Sequence, residues 1–157
     1  MMCFKSIILV PSFHPPHRND CKVPFEERLK MARLAVSGIQ GIKVSGIEGS
    51  RHISFFMDTV LHFKKTRSEE LYMAIGTDQA NRFRTWDRWK DYFGLVKIIA
   101  VKKNETLHET LPFIQVDIRP LDISSSFIRT RLAQGGDISC YTREAVAAYI
   151  RKRGFYV

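Results

Sequence analysis

Short apolar runs alternate with amphipathic segments along most of this sequence. The continuous apolar runs are typical of strands buried on both faces of a parallel sheet, and they lie at 6–10, 42–47, 71–75, 95–101 and 113–118. Apolar residues at helical spacing predict helices over about 24–39, 54–65, 87–92 and 142–152, and one more that opens after Asp122 with its inner face at Phe127, Ile128 and Leu132. A regular alternation of this kind predicts an α/β fold with a doubly wound parallel sheet, and residues 1–157 as a single domain.

The composition is that of a globular protein. Hydrophobic residues make up 45% of the 157 positions and aromatic residues 11%. No apolar run is long enough to span a membrane, and residues 1–18 do not show the pattern of a signal peptide. Three cysteines at unrelated spacings form neither a C-x-x-C pair nor an even disulfide framework, so we expect a reducing cytoplasm.

The charge is strongly basic. Twenty-five Lys and Arg against 16 Asp and Glu give a formal net charge of +9, which indicates an anionic partner. Nucleic acid, lipid and nucleotide phosphates all satisfy that description. The sequence has no RNA-binding aromatic motif and no helix-turn-helix pattern, so nucleic acid is the less favoured of these partners.

Three successive serines at the start of a helix form the first candidate site. Ser124, Ser125 and Ser126 follow a Pro120 corner and open the helix, and Arg129 lies about one turn further on. Unpaired backbone N–H groups and the positive end of the helix dipole attract an anion there, and an arginine fork suits a phosphate. The alternative is a serine N-cap with solvated arginines.

A proline-rich loop follows the first strand and forms the second candidate site. The prolines of Pro11–Arg18 exclude both helix and ladder, and they display His14, His17 and Arg18 at the carboxyl end of a strand, where open α/β sheets bind ligands. A metal site at His14 and His17 is weakly supported, because no further ligands accompany them. The alternative is an ordinary exposed loop.

A third candidate site lies at the end of the strand at 71–75. Gly76 allows close approach of a backbone to a ligand, and the carboxylate of Asp78 can accept hydrogen bonds from a ribose or a base. Trp86 and Trp89 follow; we expect Trp86 to stack on a ligand ring and Trp89 to be core. The alternative is that both tryptophans and Phe93 form one core stripe.

These segments together carry a family resemblance. I-S-S-S-F-I-R at 123–129 resembles the I-S-S-T-x-I-R signature of the nucleotidylyltransferase superfamily. The surrounding chain resembles the bacterial nicotinate-nucleotide adenylyltransferases in three further segments. These are the P-x-x-x-P-P-H-[KR] loop at 11–18, the G-x-D followed by Trp86, and S-x-x-x-D-T at 54–59, which keeps Thr59.

The resemblance implies an activity and a role for each segment. It implies transfer of AMP from ATP to nicotinate mononucleotide, giving pyrophosphate and the dinucleotide precursor of NAD, with Mg²⁺ accompanying ATP. The mononucleotide is expected at His17, Arg18, Asp78, Trp86 and Thr59. ATP is expected at Ser124, Ser125, Arg129, Gly76 and Asp78. The resemblance leaves open whether the protein forms a homo-oligomer.

Two departures from the family pattern affect these expectations. Phe56 stands where the family has a threonine that touches the nicotinate-bearing substrate, so preference for the acid or the amide stays open. The family's opening strand and H-x-G-H motif are also not found in this sequence, and the catalytic residues are therefore left unassigned. Three explanations fit this absence: an active enzyme whose sequence is truncated or misstarted, a homologue that binds nucleotides without turnover, or a gap that another chain fills. We favour the first.

Functions outside this expectation remain as alternatives. Adenylyl transfer to another small phosphate, such as phosphopantetheine, is the nearest enzymatic one, and Trp86 at its spacing disfavours it. A catalytically inactive nucleotide-binding homologue and a basic RNA-binding module are the others. The RNA-binding alternative predicts RNA affinity that falls steeply with salt, without ATP binding.

Overall fold

The computed structural model describes residues 3–13, 23–51, 56–102, 106–118 and 123–156. The chain divides into two compact units, which are described separately: Met1–Ser54 with Asp122–Val157, and Phe55–Leu121. The expectation of a single domain stays a prediction. Within the described residues, no helix combines the length and the apolar character needed to cross a bilayer.

Five strands and seven α-helices are described. The strands are β1 (Ile7–Leu9), β2 (Ile42–Val44), β3 (Tyr72–Gly76), β4 (Lys97–Lys102) and β5 (Ile114–Asp117). The helices are α1 (Phe25–Val36), α2 (Ile47–Arg51), α3 (Phe56–Thr66), α4 (Thr77–Ala80), α5 (Tyr92–Leu95), α6 (Ser125–Ala133) and α7 (Glu144–Arg153). Two 3₁₀ turns, Phe83–Thr85 and Trp89–Asp91, precede α5.

The first unit pairs β1 and β2 in parallel, with Ile8 opposite Lys43. Helices α1 and α7 pack together in this unit, and its core consists of Leu132, Ile138, Val146, Ala147 and Ile150 with the apolar face of α1 against it. The guanidinium of Arg143 donates to the carbonyl of Ser37 at 2.8 Å, which satisfies a backbone acceptor just beyond α1.

The second unit contains a parallel sheet in the order β3-β4-β5. Its central strand β4 is buried through Ile98, Ile99 and Ala100, as expected of a strand covered on both faces. Helix α3, the 3₁₀ turns and α5 supply the rest of the core, in which the buried residues are Met57, Val60, Met73, Ala80, Phe83, Tyr92, Val96, Ile98, Ala100 and Phe113. The predicted α/β class with parallel strands is confirmed.

Several predicted details are wrong. The helix predicted over about 24–39 ends at Val36, and Ile39 beyond it is 44% exposed. Phe127 was expected to face inward from α6, but it is 41% exposed and lies edge-on to Tyr141, with ring centroids 5.1 Å apart. The last helix, predicted from about residue 142, begins at Glu144 with Arg143 at its N-cap.

The predicted helix at 87–92 is also wrong in form. Arg88 adopts φ 53°, in the left-handed region, and this interrupts a regular helix between the two 3₁₀ turns. Only the last residue of the predicted helix, Tyr92, starts an α-helix. The short helices α2 and α4 were not predicted.

Candidate functional site

Gly76 and Asp78 form a tight corner at the carboxyl end of β3. Gly76 has φ −72° and ψ 160°, a conformation open to any residue, so its role is steric. A Cβ at this position would lie 2.5 Å from Oδ1 of Asp78. The other carboxylate oxygen, Oδ2, accepts a hydrogen bond from Nε2 of Gln79 at 3.1 Å. The exposed carboxylate of Asp78 is thus held at the end of the strand, where the missing side chain of Gly76 leaves it room.

Trp86 lies in a group of aromatic rings in the second unit. Its ring centroid is 5.1 Å from that of Phe83, 5.9 Å from that of Tyr92 and 6.1 Å from that of Phe56. Phe83 and Tyr92 are buried, whereas Phe56 is 37% exposed and meets Trp86 edge to face at 69°. Trp86 is therefore bounded by the core on one side and by an accessible ring at the start of α3 on the other.

Tyr92 is the buried polar member of this group. Burial, reinforced by the negative charges of Asp87 and Asp58, raises the pKa of Tyr92 to about 12. The phenol is consequently neutral throughout the physiological range, and it behaves as part of the aromatic packing.

Trp89 is half-buried, as Trp86 is. It packs on Phe93 at 6.5 Å, and the Arg84 guanidinium lies 5.0 Å from the centre of its ring. Burial therefore does not distinguish the two tryptophans, and the assignment of Trp86 as the stacking ring stays a prediction. The two tryptophans differ in their neighbours: Trp86 lies beside an exposed phenylalanine, and Trp89 lies beside a cation.

Thr59 is only 1% exposed on α3. A ligand that touched this hydroxyl would have to reach an almost completely covered side chain. Its expected contact with the mononucleotide stays a prediction.

The serine motif caps helix α6 in the first unit. Ser124 is the N-cap, and its hydroxyl oxygen accepts the backbone N–H of Phe127 at 3.0 Å. Ser125 begins the helix with an exposed side chain. Arg129 donates from Nη2 to the hydroxyl oxygen of Ser126 at 3.0 Å, a pairing that the sequence analysis did not anticipate. The capping role is confirmed, and the hydrogen bond to Ser126 holds the guanidinium of Arg129 beside the first turn of α6.

His17 and Arg18 lie outside the described residues, as does His14. The described residues on either side of that segment are Phe13 and Val23, and both are hydrogen-bonded to Arg28 of α1. The backbone N–H of Phe13 also donates to Oε2 of Glu48 at 2.9 Å, and the sequence analysis gave neither Arg28 nor Glu48 a role. An arginine one turn into the helix after a proline-rich loop was the available signal.

Among the residues that the structure describes, no three His, Cys, Asp or Glu side chains come together as a group able to hold a metal ion. Phosphate oxygens and water are the ligands that Mg²⁺ ordinarily uses with nucleotides.

Comparison with known proteins identifies the family of the chain. The family model described as cytidylyltransferase-like matches residues 3–131. A probable nicotinate-nucleotide adenylyltransferase of Streptococcus pneumoniae is 33% identical in an alignment of length 154 that covers 96% of this chain and 74% of that protein. The chain belongs to this family of adenylyltransferases.

Other members of the family give the same result. The probable nicotinate-nucleotide adenylyltransferase of Pelobacter propionicus is 30% identical, over 96% of this chain and 83% of that protein. The corresponding protein of Solibacter usitatus is 32% identical, over 96% of this chain and 82% of that protein.

Solved structures support the fold. The Plasmodium falciparum nicotinic acid mononucleotide adenylyltransferase complexed with NaAD matches with a TM-score of 0.77 at 19% identity, over 97% of this chain and 82% of that one. The same enzyme complexed with APC matches with a TM-score of 0.74 at 18% identity, over the same shares of both chains. These likenesses confirm a nucleotidylyltransferase-like α/β fold.

Proposed function

We propose that this chain transfers the adenylyl group of ATP to nicotinate mononucleotide, with release of pyrophosphate. The observation that carries the proposal is membership of the nicotinate-nucleotide adenylyltransferase family, with 33% identity extending over 96% of the chain. The product is nicotinate adenine dinucleotide, a precursor in pyridine nucleotide biosynthesis. The solved relative bound to NaAD supports this assignment, because NaAD is that product.

In the reaction, a phosphate oxygen of the mononucleotide attacks the α-phosphorus of ATP. The bond between this phosphorus and the oxygen that leads to the β-phosphorus breaks, and pyrophosphate leaves with that oxygen. The reaction needs positioning and charge neutralisation and does not need a protein nucleophile.

The proposed roles of the residues follow from their chemistry. Ser124, Ser125 and Arg129 bind the ATP phosphates at the start of α6, where the N–H groups of the first turn and the guanidinium offer donors. Gly76 and Asp78 bind the nucleoside parts of the substrates. The backbone of Gly76 allows a ligand to come close, and the carboxylate of Asp78 accepts hydrogen bonds.

Four residues complete the mononucleotide side of the proposal. His17 and Arg18 bind the attacking phosphate. Trp86 stacks on the pyridine ring, and Phe56 lies beside the Trp86 ring. Thr59 would contribute from the buried face of α3.

Nucleotidyltransferases of this kind generally use a divalent metal with ATP. We propose Mg²⁺, bound chiefly by the phosphate oxygens of ATP, because the described residues offer no dense carboxylate group of their own. The ion would neutralise charge on the leaving pyrophosphate. The proposed compartment is the cytoplasm, where free thiols such as the exposed Cys3 and Cys140 persist.

A panel of acceptors tests the proposal. Pyrophosphate release from ATP and Mg²⁺ is measured with nicotinate mononucleotide, nicotinamide mononucleotide, phosphopantetheine or no acceptor. The proposal expects release with the pyridine mononucleotides and none without an acceptor. Preferential release with phosphopantetheine would reassign the acceptor. Mononucleotide binding without release would indicate the inactive homologue, and salt-sensitive RNA binding without ATP binding would indicate the RNA-binding module.

A further inference from the structure

The side chain of Asn81, just after α4, forms two hydrogen bonds with one stretch of main chain. Its Nδ2 donates to the carbonyl of Thr106 at 2.9 Å, and its Oδ1 accepts the backbone N–H of His108 at 2.8 Å. The amide thus pairs with the polar groups on both sides of Leu107, as a residue of a neighbouring parallel strand would. Asn81 therefore joins two segments that are far apart in the sequence.

Arg84 reaches the same stretch three residues later. Its Nε donates to Oε2 of Glu109 at 2.9 Å and its Nη2 donates to Oε1 at 3.1 Å, so the pairing is bidentate. The Glu109 side chain is 13% exposed, and its Oε1 also accepts the backbone N–H of Thr110 at 3.0 Å. A bidentate fork fixes orientation as well as distance, and a lysine could not reproduce it. We call Asn81 and Arg84 the two anchors.

The 3₁₀ turn that leads into Trp86 lies between and just beyond the anchors. Phe83 of this turn is completely buried, and its ring packs on that of Trp86 with centroids 5.1 Å apart. The backbone N–H of Trp86 donates to the carbonyl of Phe83 at 3.0 Å, which makes Trp86 the C-cap of the turn. The main chain that carries the indole is therefore set by a turn that the anchors attach to residues 106–109.

We propose that Asn81 and Arg84 are positioning residues for Trp86, and so for the stacking of its indole on the pyridine ring of the mononucleotide. They hold the turn before Trp86 in one place, so less ordering of the indole is left to be done when the ligand binds. The proposal rests on the proposed function for its ligand and for the role of Trp86. The hydrogen bonds of both anchors go to residues 106–109, and neither anchor touches the substrate in this account.

Steady-state kinetics give the first test. Asn81→Ala removes both hydrogen bonds of that anchor, and Arg84→Lys keeps the charge and loses the fork. We expect each to raise the KM for nicotinate mononucleotide about fivefold or more, with the KM for ATP within about twofold of the wild type. Arg82→Lys, an exposed position between the anchors, is the matched control and is expected to leave both values unchanged. A wild-type mononucleotide KM in both anchor variants would overturn the proposal.

Urea unfolding midpoints, measured on the same proteins, separate loss of positioning from loss of folding. A variant that is unfolded under the assay conditions would lose the whole activity and not one KM alone. Arg84→Lys alters neither charge nor core packing, and it carries the test if Asn81→Ala does not fold.

A double-mutant cycle shows which ring the anchors serve, because the Arg84 guanidinium also lies 5.0 Å from the centre of the Trp89 ring. With Trp86→Ala already present, Asn81→Ala is expected to change the mononucleotide KM by less than about twofold, since no indole remains to be positioned. With Trp89→Ala present, Asn81→Ala should keep its full effect. A full effect in the Trp86→Ala protein, or its loss in the Trp89→Ala protein, would overturn the proposal.

Hydrogen exchange followed by mass spectrometry tests the same claim without using activity. The backbone N–H groups of Thr85 and Trp86 donate to carbonyls of their own turn at 2.9 and 3.0 Å, so their exchange reports on opening of the turn. We expect Asn81→Ala and Arg84→Lys to accelerate this exchange about tenfold over Arg82→Lys. No acceleration overturns the proposal, and acceleration in an active enzyme with an unchanged mononucleotide KM overturns the positioning role.

Failure of the proposed function gives a different result. A wild-type protein that transfers no adenylyl group would remove that function and the substrate part of this proposal with it. The exchange rates would then decide alone whether the anchors fix the turn. An active enzyme in which Trp86→Ala keeps the wild-type mononucleotide KM would retain the function and overturn the positioning role.

Discussion

The carboxylate of Asp78 lies in the space that a side chain on Gly76 would need, with Oδ1 only 2.5 Å from an ideal Cβ. A side chain at this position would displace the carboxylate, whereas the backbone conformation of Gly76 itself is open to any residue. Gly76 ends the strand β3, and Asp78 lies in the first turn of α4. The position of the Asp78 carboxylate, which is the proposed nucleoside contact, therefore depends on the residue at the end of the strand.

Gly76→Ala is predicted to move the Asp78 carboxylate while leaving the fold intact, because a side-chain terminus can shift more easily than backbone. We expect kcat/KM to fall about tenfold or more, approaching the value of Asp78→Asn, since a hydrogen bond to a charged group contributes about 1.5–3 kcal/mol. Gly94→Ala is the matched control, because a Cβ there meets nothing within 4 Å. Wild-type kinetics for Gly76→Ala would argue against a role for Asp78.

Trp86→Ala is predicted to raise the KM for nicotinate mononucleotide more than Trp89→Ala does. Loss of a ring stack costs about 1–3 kcal/mol, or roughly fivefold to 150-fold in affinity. Both substitutions should lower the melting temperature, because both rings pack against the core of the second unit. A larger KM effect from Trp89→Ala would reverse the assignment of the two rings.

Phe56→Thr is predicted to change the choice between acid and amide. An apolar ring beside Trp86 offers no donor that could distinguish a carboxylate from an amide, whereas a hydroxyl does. We expect the ratio of kcat/KM for nicotinate over nicotinamide mononucleotide to rise about tenfold. Phe56→Leu, which adds no hydroxyl, should leave the ratio unchanged, and an equal shift in both variants would point to ring size as the cause.

Arg129→Ala is predicted to weaken ATP binding. The substitution removes the guanidinium that is hydrogen-bonded to Ser126 at the start of α6, at an expected cost of about tenfold or more in ATP affinity. Thr130→Ala, an exposed position next to it, serves as the control. Calorimetry with a nonhydrolysable ATP analogue measures the difference, and unchanged affinity in Arg129→Ala would remove this residue from the site.

The first unit is predicted to lose stability in acid through Glu27. The hydroxyl of Tyr149 donates to this carboxylate at 2.5 Å and Arg153 pairs with it, and together they lower the pKa of Glu27 below its ordinary 4.5. A lowered folded-state pKa stabilises the protein above pH 4.5, and that contribution is lost as the pH falls through the folded value.

Glu27→Gln should therefore flatten the dependence of the urea midpoint on pH between about 5 and 3. Glu26→Gln, on the exposed side of the same helix, is the comparison. Parallel curves for the wild type and Glu27→Gln would mean that the pairing contributes nothing in solution.

The sequence was sufficient to predict the strands and the long helices. Each strand is a short apolar run next to a glycine, a proline or a polar turn, and helices α1, α3 and α7 repeat apolar residues at helical spacing. The helices α2 and α4 have five and four residues, too few to show a period. The chain between Trp86 and Tyr92 carries aromatic residues at helical spacing, but the left-handed conformation of Arg88 interrupts a helix there.

The local contacts of the serine motif were easier to predict than the contacts of Arg28 and Gly76. The N-cap role of Ser124 follows from local chemistry, since a serine before a helix accepts from the backbone two or three residues on. The contacts of Arg28 could not be predicted in the same way, because its partners are backbone carbonyls and carbonyls carry no sequence signal. The steric dependence of Asp78 on Gly76 is likewise visible only in three dimensions.

The most direct test of the central claim is detection of the products by mass spectrometry, with purified protein, ATP, Mg²⁺ and nicotinate mononucleotide. The account predicts nicotinate adenine dinucleotide and pyrophosphate in equal amounts, and the reverse reaction when both are supplied in excess. Formation of AMP without dinucleotide, or substrate binding with no product, would contradict it.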